Sequence, residues 1–214
     1  MQGPIVGMHD NEMQHAPLHY TQCHMHSAAP QRARLCCDVH NAASAGCLDI
    51  VKYLIEGKRC SSTPIDNNGI TLLHFACHNG HIHVAKYLVE EREYNPACVT
   101  SDYFTESLHL ACQNGRLDIA KYLVEEKHCK PTLLNGDGFQ SVHLACQNRH
   151  LNLAKYFVEE QKRFPNCYNL SYKFLLWTPL HLACSNGHLN VAKYLKKCNP
   201  SCEDIDGFNP IAFS

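Results

Sequence analysis

The chain has 214 residues, 45% of them hydrophobic, and a formal net charge of −1 at pH 7. This composition is that of a globular protein with a buried core, and so balanced a charge gives no basic field to attract nucleic acid or an anionic membrane surface. The first residues lack a basic start followed by an apolar stretch, and no apolar run reaches the length of a membrane span.

Fourteen cysteines raise the question of disulfide bonds. Disulfide frameworks belong to short secreted chains, whereas many cysteines here occupy one repeating position in a helical pattern. The sequence therefore predicts a soluble protein of the reducing cytoplasm, and it leaves the nucleus open as a second location.

Residues 1–34 precede the regular part of the chain, and we predict either a poorly ordered segment or a degenerate copy of the repeat that follows. Metal-ligand residue types are crowded at its end and just beyond: Cys23, His24, His26, Cys36, Cys37 and His40. Their spacing matches no common zinc motif, so a metal-binding or redox-responsive Cys and His protein is kept only as the alternative function.

From residue 40 onward one short motif recurs, as in "LHFACHNG" (73–80) and "LHLACQNG" (108–115). Its histidines are separated by 34, 35, 34 and 38 residues, and they are His40, His74, His109, His143 and His181. A fixed period of this length indicates a chain built from stacked structural units.

Each motif is followed by a second amphipathic stretch, such as "LDIAKYLVEE" (117–126). Leu117, Ala120 and Leu123 fall on one side of that helix and Asp118 and Lys121 on the other. Helices this short are marginal in water, so neighbouring units must bury each other's apolar sides in a linear stack.

The fifth unit, "TPLHLACSNGHLNVAKYL" (178–195), resembles the ankyrin repeat, whose pattern is T-P-L-H-x-A, then Gly, then a second helix. The resemblance covers residues 35–208 and implies an all-α solenoid of paired antiparallel helices with β-hairpin fingers. Within an ankyrin domain at 35–214, the units would run over about 35–70, 71–104, 105–139, 140–177 and 178–208, with a partial unit at 209–214. The fingers would lie at 65–70, 135–139 and 204–208.

The resemblance also assigns structural roles to the recurrent His and Cys. It implies that the histidines form hydrogen bonds locally and between units, and that Cys77, Cys112, Cys146 and Cys184 are small buried residues in a position usually given to alanine. One unit offers only two of the four ligands that a structural zinc needs. We therefore predict packing rather than a metal site, and no cofactor.

Several units depart from the family pattern. The fifth unit alone keeps Thr178 and Pro179 at the start of its first helix, so we predict looser starts at Glu106 and at Gln140. Arg149 stands where the other units have Gly and is predicted to adopt a left-handed conformation.

One tyrosine per unit, at positions 53, 87, 122, 156 and 194, is predicted to pack against the following unit with its hydroxyl near water. The acidic ends that follow, such as "VEE" at 124–126, are predicted to form a solvated face.

No pairing of a nucleophile with a base, no phosphate cradle and no repeated carboxylate pair is present in the sequence, so we predict a non-enzymatic scaffold that binds a partner protein or peptide in a concave groove. By resemblance, the groove residues are the two before each Gly position: Ser44, Ala45, His78, Asn79, Gln113, Asn114, Gln147, Asn148, Ser185 and Asn186. The fingers add Asn67, Asn68, Tyr103, Asp137, Phe139, Phe174, Leu175, Trp177, Asp206 and Phe208.

The stretch "NLSYKFLLWTP" (169–179) is the most individual part of the chain. Its apolar cluster from Tyr172 to Trp177 predicts either an exposed binding hot spot or a finger folded back on its neighbours. The last residues, "DGFNPIAFS", start a sixth unit without a polar closing helix. We therefore predict either a fragment of a longer protein, which we favour, or a C-terminal edge that a partner or a second copy covers.

Overall fold

The computed structural model describes residues 31–57, 65, 69–101, 105–161 and 177–198, with the backbone alone for 31–37. Within these residues ten α-helices follow one another as five pairs, a first and a second helix in each unit. The helices are α1 (Gln31–Ala45), α2 (Leu48–Lys52), α3 (Leu72–Asn79), α4 (Ile82–Lys86), α5 (Ser107–Gln113), α6 (Leu117–Lys121), α7 (Ser141–Gln147), α8 (Leu151–Lys155), α9 (Pro179–Ser185) and α10 (Leu189–Cys198). Helix α1 already begins at Gln31, four residues before the predicted domain boundary.

Four of the second helices continue directly into a π-helical turn, in which the backbone N–H bonds the carbonyl five residues back. The amide of Arg92, for example, donates to the carbonyl of Tyr87 at 3.2 Å. These turns run over Tyr53–Gly57, Tyr87–Glu91, Tyr122–Glu126 and Tyr156–Glu160. Helix α10, which lacks the Val-Glu-Glu ending, stays α-helical to Cys198.

The five first helices pack on one another in chain order, and each second helix packs on its own first helix. One continuous apolar cluster runs from Val39 to Leu195 through all five units. Small residues in the first helices, Ala76, Ala111 and Ala145, are fully buried between neighbours. The prediction of an all-α ankyrin-type solenoid, in which units cover each other's apolar sides, is confirmed.

The first helices of units two to five begin with the same kind of cap. At Glu106 and Gln140, as at Thr71 and Thr178, the N-cap side chain and the histidine three residues later form a reciprocal capping box. The histidine Nδ1 accepts the N-cap amide at 3.1 to 3.2 Å in all four units. The histidine thus supplies the same half of the cap in all four units, and Thr178 in addition accepts the amide of His181 at 3.5 Å.

The turn after each first helix needs a left-handed residue. Gly46, Gly80, Gly115 and Gly187 have φ between 69° and 89°, and Arg149 has φ 68°. The predicted left-handed conformation of Arg149 is therefore confirmed.

The described parts of the fingers are short antiparallel contacts rather than long strands. Isolated bridges pair Ile65 with Thr71 and Val99 with Glu106. In the finger of unit three, at 135–139, the amide of Asn135 donates to the carbonyl of Phe139 at 3.0 Å, and Gly138 has φ 77°. The predicted finger at 204–208 lies outside the described residues.

Candidate partner-binding groove

The first helices are buried along most of their length and reach solvent at their last turn. In α5, for example, Leu110 is 4% exposed, whereas the next inner residues, Gln113 and Asn114, are half-buried. The same level is half-buried or exposed in every unit, at Ser44, Ala45, His78, Asn79, Gln113, Asn114, Asn148, Ser185 and Asn186. The stack therefore presents one row of mostly polar side chains, one level per unit.

The asparagines of this row are held in one orientation. The Nδ2 atoms of Asn79, Asn114, Asn148 and Asn186 donate to the carbonyl four residues earlier at 2.8 to 3.0 Å. A carbonyl can only accept, so the nitrogen must point into the helix end and the amide oxygen away from it. Each asparagine thus caps its helix and offers a hydrogen-bond acceptor outward.

The residue after each Gly position fastens one unit to the unit before it. His81, His150 and His188 donate from Nε2 to the carbonyls of Ser44, Gln113 and Gln147 at 2.8 to 2.9 Å. Arg116 makes the same connection from Nε to the carbonyl of His78 at 3.1 Å. Sequence reasoning missed this series, although a donor at 81, 116, 150 and 188 recurs with the period of the repeat.

Two predicted contact residues are buried, which corrects their assignment to the binding surface. Gln147 is 6% exposed, in contrast to its equivalent Gln113. Phe139 is 1% exposed because it packs with Leu144 and Leu182 in a small apolar cluster.

Trp177 is half-buried against this cluster and stacks on His181, with the ring centroids 6.2 Å apart. Of the apolar cluster from Tyr172 to Trp177, Trp177 alone lies within the described residues. Asp137 is half-buried at the third finger. The other predicted finger residues lie outside the described residues: Asn67, Asn68, Tyr103, Phe174, Leu175, Asp206 and Phe208.

The fingers also carry exposed apolar side chains that sequence reasoning missed. Ile65 is 57% exposed, Val99 44% and Leu134 36%. They occupy one register, 34 and 35 residues apart, so they form a row of one per finger. The sequence signal for this row is that the three residues recur with the period of the repeat. It was missed because the tips of the fingers were expected to be polar.

In units two and three, the histidine of the recurrent motif also contacts the finger of its own unit. Nε2 of His74 lies 3.2 Å from the carbonyl of Cys98, and Nε2 of His109 lies 3.0 Å from the carbonyl of Leu133. Since Nδ1 accepts the N-cap amide, Nε2 carries the proton and donates. Burial lowers the pKa of His109, which keeps the ring in this neutral form. The predicted local bonding is confirmed for His74, His109, His143 and His181. The bonds to Cys98 and Leu133 stay within the units 71–104 and 105–139, so bonding between units stays a prediction for these histidines.

A comparison with protein families finds the same repeat over this region. The model described as ankyrin repeats (3 copies) matches residues 39–135 and 108–207. The chain belongs to the ankyrin-repeat family. Proteins of this family are generally protein–protein interaction modules. No curated protein sequence matches the chain at a significant level.

The cysteines of the ankyrin units behave as core residues. Cys77, Cys112 and Cys146 are fully buried, as predicted, and Cys184 is half-buried. Burial raises the pKa of the Cys77 and Cys112 thiols far above its usual value, so both remain protonated. Within the described residues, no group of three or more His, Cys, Asp or Glu could hold a metal ion. Cys23, His24 and His26 lie outside those residues, as do the side chains of Cys36 and Cys37.

The outer face of the ankyrin stack corrects the prediction for the tyrosines. Tyr87, Tyr122 and Tyr156 are 2 to 3% exposed, and each ring lies under a lysine of the preceding unit: Lys52, Lys86 and Lys121. The hydroxyls of Tyr87, Tyr122 and Tyr194 donate to Glu56, Glu90 and Glu159 of that unit at 2.9 to 3.1 Å. Burial, with the neighbouring Glu56 carboxylate, raises the pKa of Tyr87 to about 12.

A lysine completes each step on this face. Lys52, Lys86, Lys121 and Lys155 lie over the tyrosine ring of the next unit, 4.9 to 5.8 Å from its centroid. The first three also pair with that unit's second glutamate at 3.1 to 3.5 Å, at Glu91, Glu126 and Glu160. We call this repeating set of Lys, Tyr and Glu contacts the outer ladder. The acidic ends are exposed, as predicted for a solvated face, but they also join neighbouring units.

Proposed function

We propose that this ankyrin stack is a non-catalytic scaffold that binds a partner protein or peptide along its concave groove. One observation carries the proposal: each described unit opens its buried first helix to solvent at the same level, where side chains with unused hydrogen-bonding capacity stand in a row. A partner can follow such a row from unit to unit without any change in a stack that is already ordered.

The chemistry of the groove favours a polar or extended segment. The asparagine oxygens supply acceptors directed outward, and Gln113 and His78 add side chains that both donate and accept. The exposed apolar row at Ile65, Val99 and Leu134 gives the fingers a second kind of contact, suited to apolar side chains of the same partner. This combination of an apolar part and a polar part is typical of protein recognition surfaces.

Two features support binding rather than catalysis in a reducing compartment. The buried Cys77 and Cys112 thiols are held protonated, which makes them poor nucleophiles. The eight cysteines whose side chains are described are free thiols, as expected in the cytoplasm, where we place the protein, or in the nucleus. No described helix is both long and apolar enough to span a membrane.

The test is a cross-linked pull-down from a lysate of the source organism with two matched triple variants. The groove variant carries His78→Ala, Gln113→Ala and Asp137→Ala, whose side chains are half-buried at the groove. The control carries His83→Ala, Asp118→Ala and Asn152→Ala, which are exposed on second helices. The asparagines of the row are left intact because their Nδ2 atoms cap helices.

We expect proteins captured by the native chain and by the control to be lost from the groove variant, with thermal unfolding midpoints within a few degrees of one another. Equal capture by both variants would move the binding surface away from the groove. Capture of nothing by the native chain would contradict the scaffold function itself.

A further inference from the structure

The outer ladder shows which groups complete the outgoing face of a unit, meaning the face that turns toward the next unit. An inner unit contributes a lysine, such as Lys86, and a glutamate, such as Glu90. The next unit supplies a carboxylate and an aromatic ring to the lysine, and a tyrosine hydroxyl to the glutamate. Each inner interface is therefore a template for what fits on an open outgoing face.

Unit five keeps the tyrosine of this template but not its carboxylate. Tyr194 donates to Glu159 at 2.9 Å, and Lys155 lies over its ring at 5.8 Å. Cys198 stands in the position of Glu91, Glu126 and Glu160, so the side that unit five turns toward unit four is a step of the outer ladder without the lysine–glutamate pair.

The outgoing half of unit five is different. Lys193 has the position of Lys86, but Lys197 stands where the other four units have the glutamate that accepts a tyrosine hydroxyl. Lys193, Lys196 and Lys197 are all exposed. The glutamate-to-lysine change replaces an acceptor with an ammonium group that only donates, so Lys197 cannot accept a tyrosine hydroxyl as Glu56, Glu90 and Glu159 do.

An apolar contact on the same face is also open. Leu189 is 61% exposed, whereas its equivalents Leu48, Ile82, Leu117 and Leu151 are half-buried and packed against the core. The outgoing face of unit five therefore combines one exposed leucine with three ammonium groups, all on α10.

A second copy of this chain complements that face only in part. Its unit one would offer the ring of Tyr53, but Gly57 stands in the position from which Glu91, Glu126 and Glu160 bind a lysine. The Tyr53 hydroxyl would meet Lys197, from which it could only accept, instead of donating to a carboxylate as Tyr87 does. Head-to-tail association would thus bring the three ammonium groups no carboxylate of the outer ladder.

We propose that the outgoing face of unit five, formed by Leu189, Lys193, Lys196 and Lys197, is a docking surface for an acidic, aromatic-containing segment of a partner protein. The inner interfaces supply the model for each contact. A carboxylate binds Lys193 as Glu126 binds Lys86, and an aromatic ring lies under its ammonium group. A second carboxylate binds Lys197, at the position where the other units have a glutamate that accepts a tyrosine hydroxyl.

The probe is a labelled peptide with the sequence of residues 117–126, LDIAKYLVEE, which carries the ring and the carboxylates that inner lysines bind. A ten-residue helix is marginal in water, so binding is followed by NMR titration of the isotope-labelled full chain at up to millimolar peptide. The control peptide has Glu125→Gln and Glu126→Gln. The protein variants are Lys193→Glu and, as a matched exposed charge reversal outside the face, Lys130→Glu.

We expect shifts confined to the amides of α10, and an affinity lowered about fivefold or more by the control peptide and by Lys193→Glu but unchanged by Lys130→Glu. Equal losses with the two lysine variants would show non-specific charge attraction and overturn the proposal. A third variant, Glu203→Gln with Asp204→Asn and Asp206→Asn, tests this chain's own acidic residues as the occupant. Two further outcomes would overturn the proposal. One is peptide binding to this third variant but not to the native chain, and the other is no peptide binding to the native chain or to any variant.

Discussion

At the scale of single residues, the glycine after each first helix meets two requirements. Its φ is positive, and it leaves room for the side chain that the next unit lays against it. A Cβ on Gly46 would come within 2.3 Å of His81, and one on Gly115 within 2.6 Å of His150. The sequence indicated the first requirement from the turn pattern, whereas the second involves residues 35 positions apart and is visible only in the stack.

These two requirements can be separated by a pair of substitutions. Gly115→Ala should destabilise the protein by about 2 to 3 kcal/mol, because left-handed strain adds to a collision with His150 that breaks its bond to Gln113. Gly187→Ala should cost only about 1 kcal/mol, since nothing lies within 4 Å of its Cβ. Urea denaturation measures both values, and equal losses would contradict a spacing role for Gly115.

At the scale of one helical element, the first helix depends on a neutral histidine. Nδ1 of His109 accepts the amide of Glu106, and Nε2 donates to the carbonyl of Leu133. The family resemblance implied this role, so sequence reasoning found the residue. It did not find that the histidine accepts the amides of Glu106 and Gln140 as it accepts those of the threonines, because helix-start preferences describe the N-cap alone and not its partner three residues on.

This arrangement predicts lower stability in acid. Burial lowers the pKa of His109, and burial together with Arg116 and His188 lowers that of His150, both from 6.5. The unfolded chain therefore binds protons that the folded chain excludes as the pH falls below 6.5. The stabilisation by these neutral histidines should be fully present above that pH. Below it the free energy of unfolding should fall, with a slope approaching about 1.4 kcal/mol per pH unit for each excluded proton.

Urea denaturation between pH 7.5 and 5.5 measures the decline. His109→Gln supplies the control, because glutamine at that helical position can accept the N-cap amide but does not titrate. Burial also raises the pKa of Glu106, which acts in the opposite sense, so the comparison is made between variants at each pH. An unchanged pH dependence in His109→Gln would contradict the assigned role of His109.

At the scale of the whole molecule, stability comes from interfaces that repeat. The apolar core is continuous, the His and Arg series ties inner helix ends together, and the outer ladder does the same on the opposite side. Because each unit touches only its neighbours, losing one ladder contact should weaken one interface in proportion to how buried that contact is.

Tyr122→Phe tests the outer ladder. Removing the hydroxyl deprives Glu90 of a buried donor, so a loss of about 1 kcal/mol is expected in thermal or urea unfolding. Tyr53→Phe is the matched control, because Tyr53 is 59% exposed on the first unit and its change should cost less than about 0.5 kcal/mol. A Tyr122 loss no larger than the Tyr53 loss would show that the hydroxyl bonds do not hold neighbouring units together.

The sequence by itself determined the repeat, because its residues recur with one fixed period, and the resemblance to the ankyrin repeat supplied the fold class and the buried Cys and His positions. Only the tertiary structure decided which neighbour each side chain meets. It turned the tyrosines toward the preceding unit, buried Phe139 and Gln147, fixed the asparagine amides and exposed Ile65, Val99 and Leu134. A period shows that units stack, but the direction and depth of each contact depend on atoms brought together from two units, and no local pattern contains them.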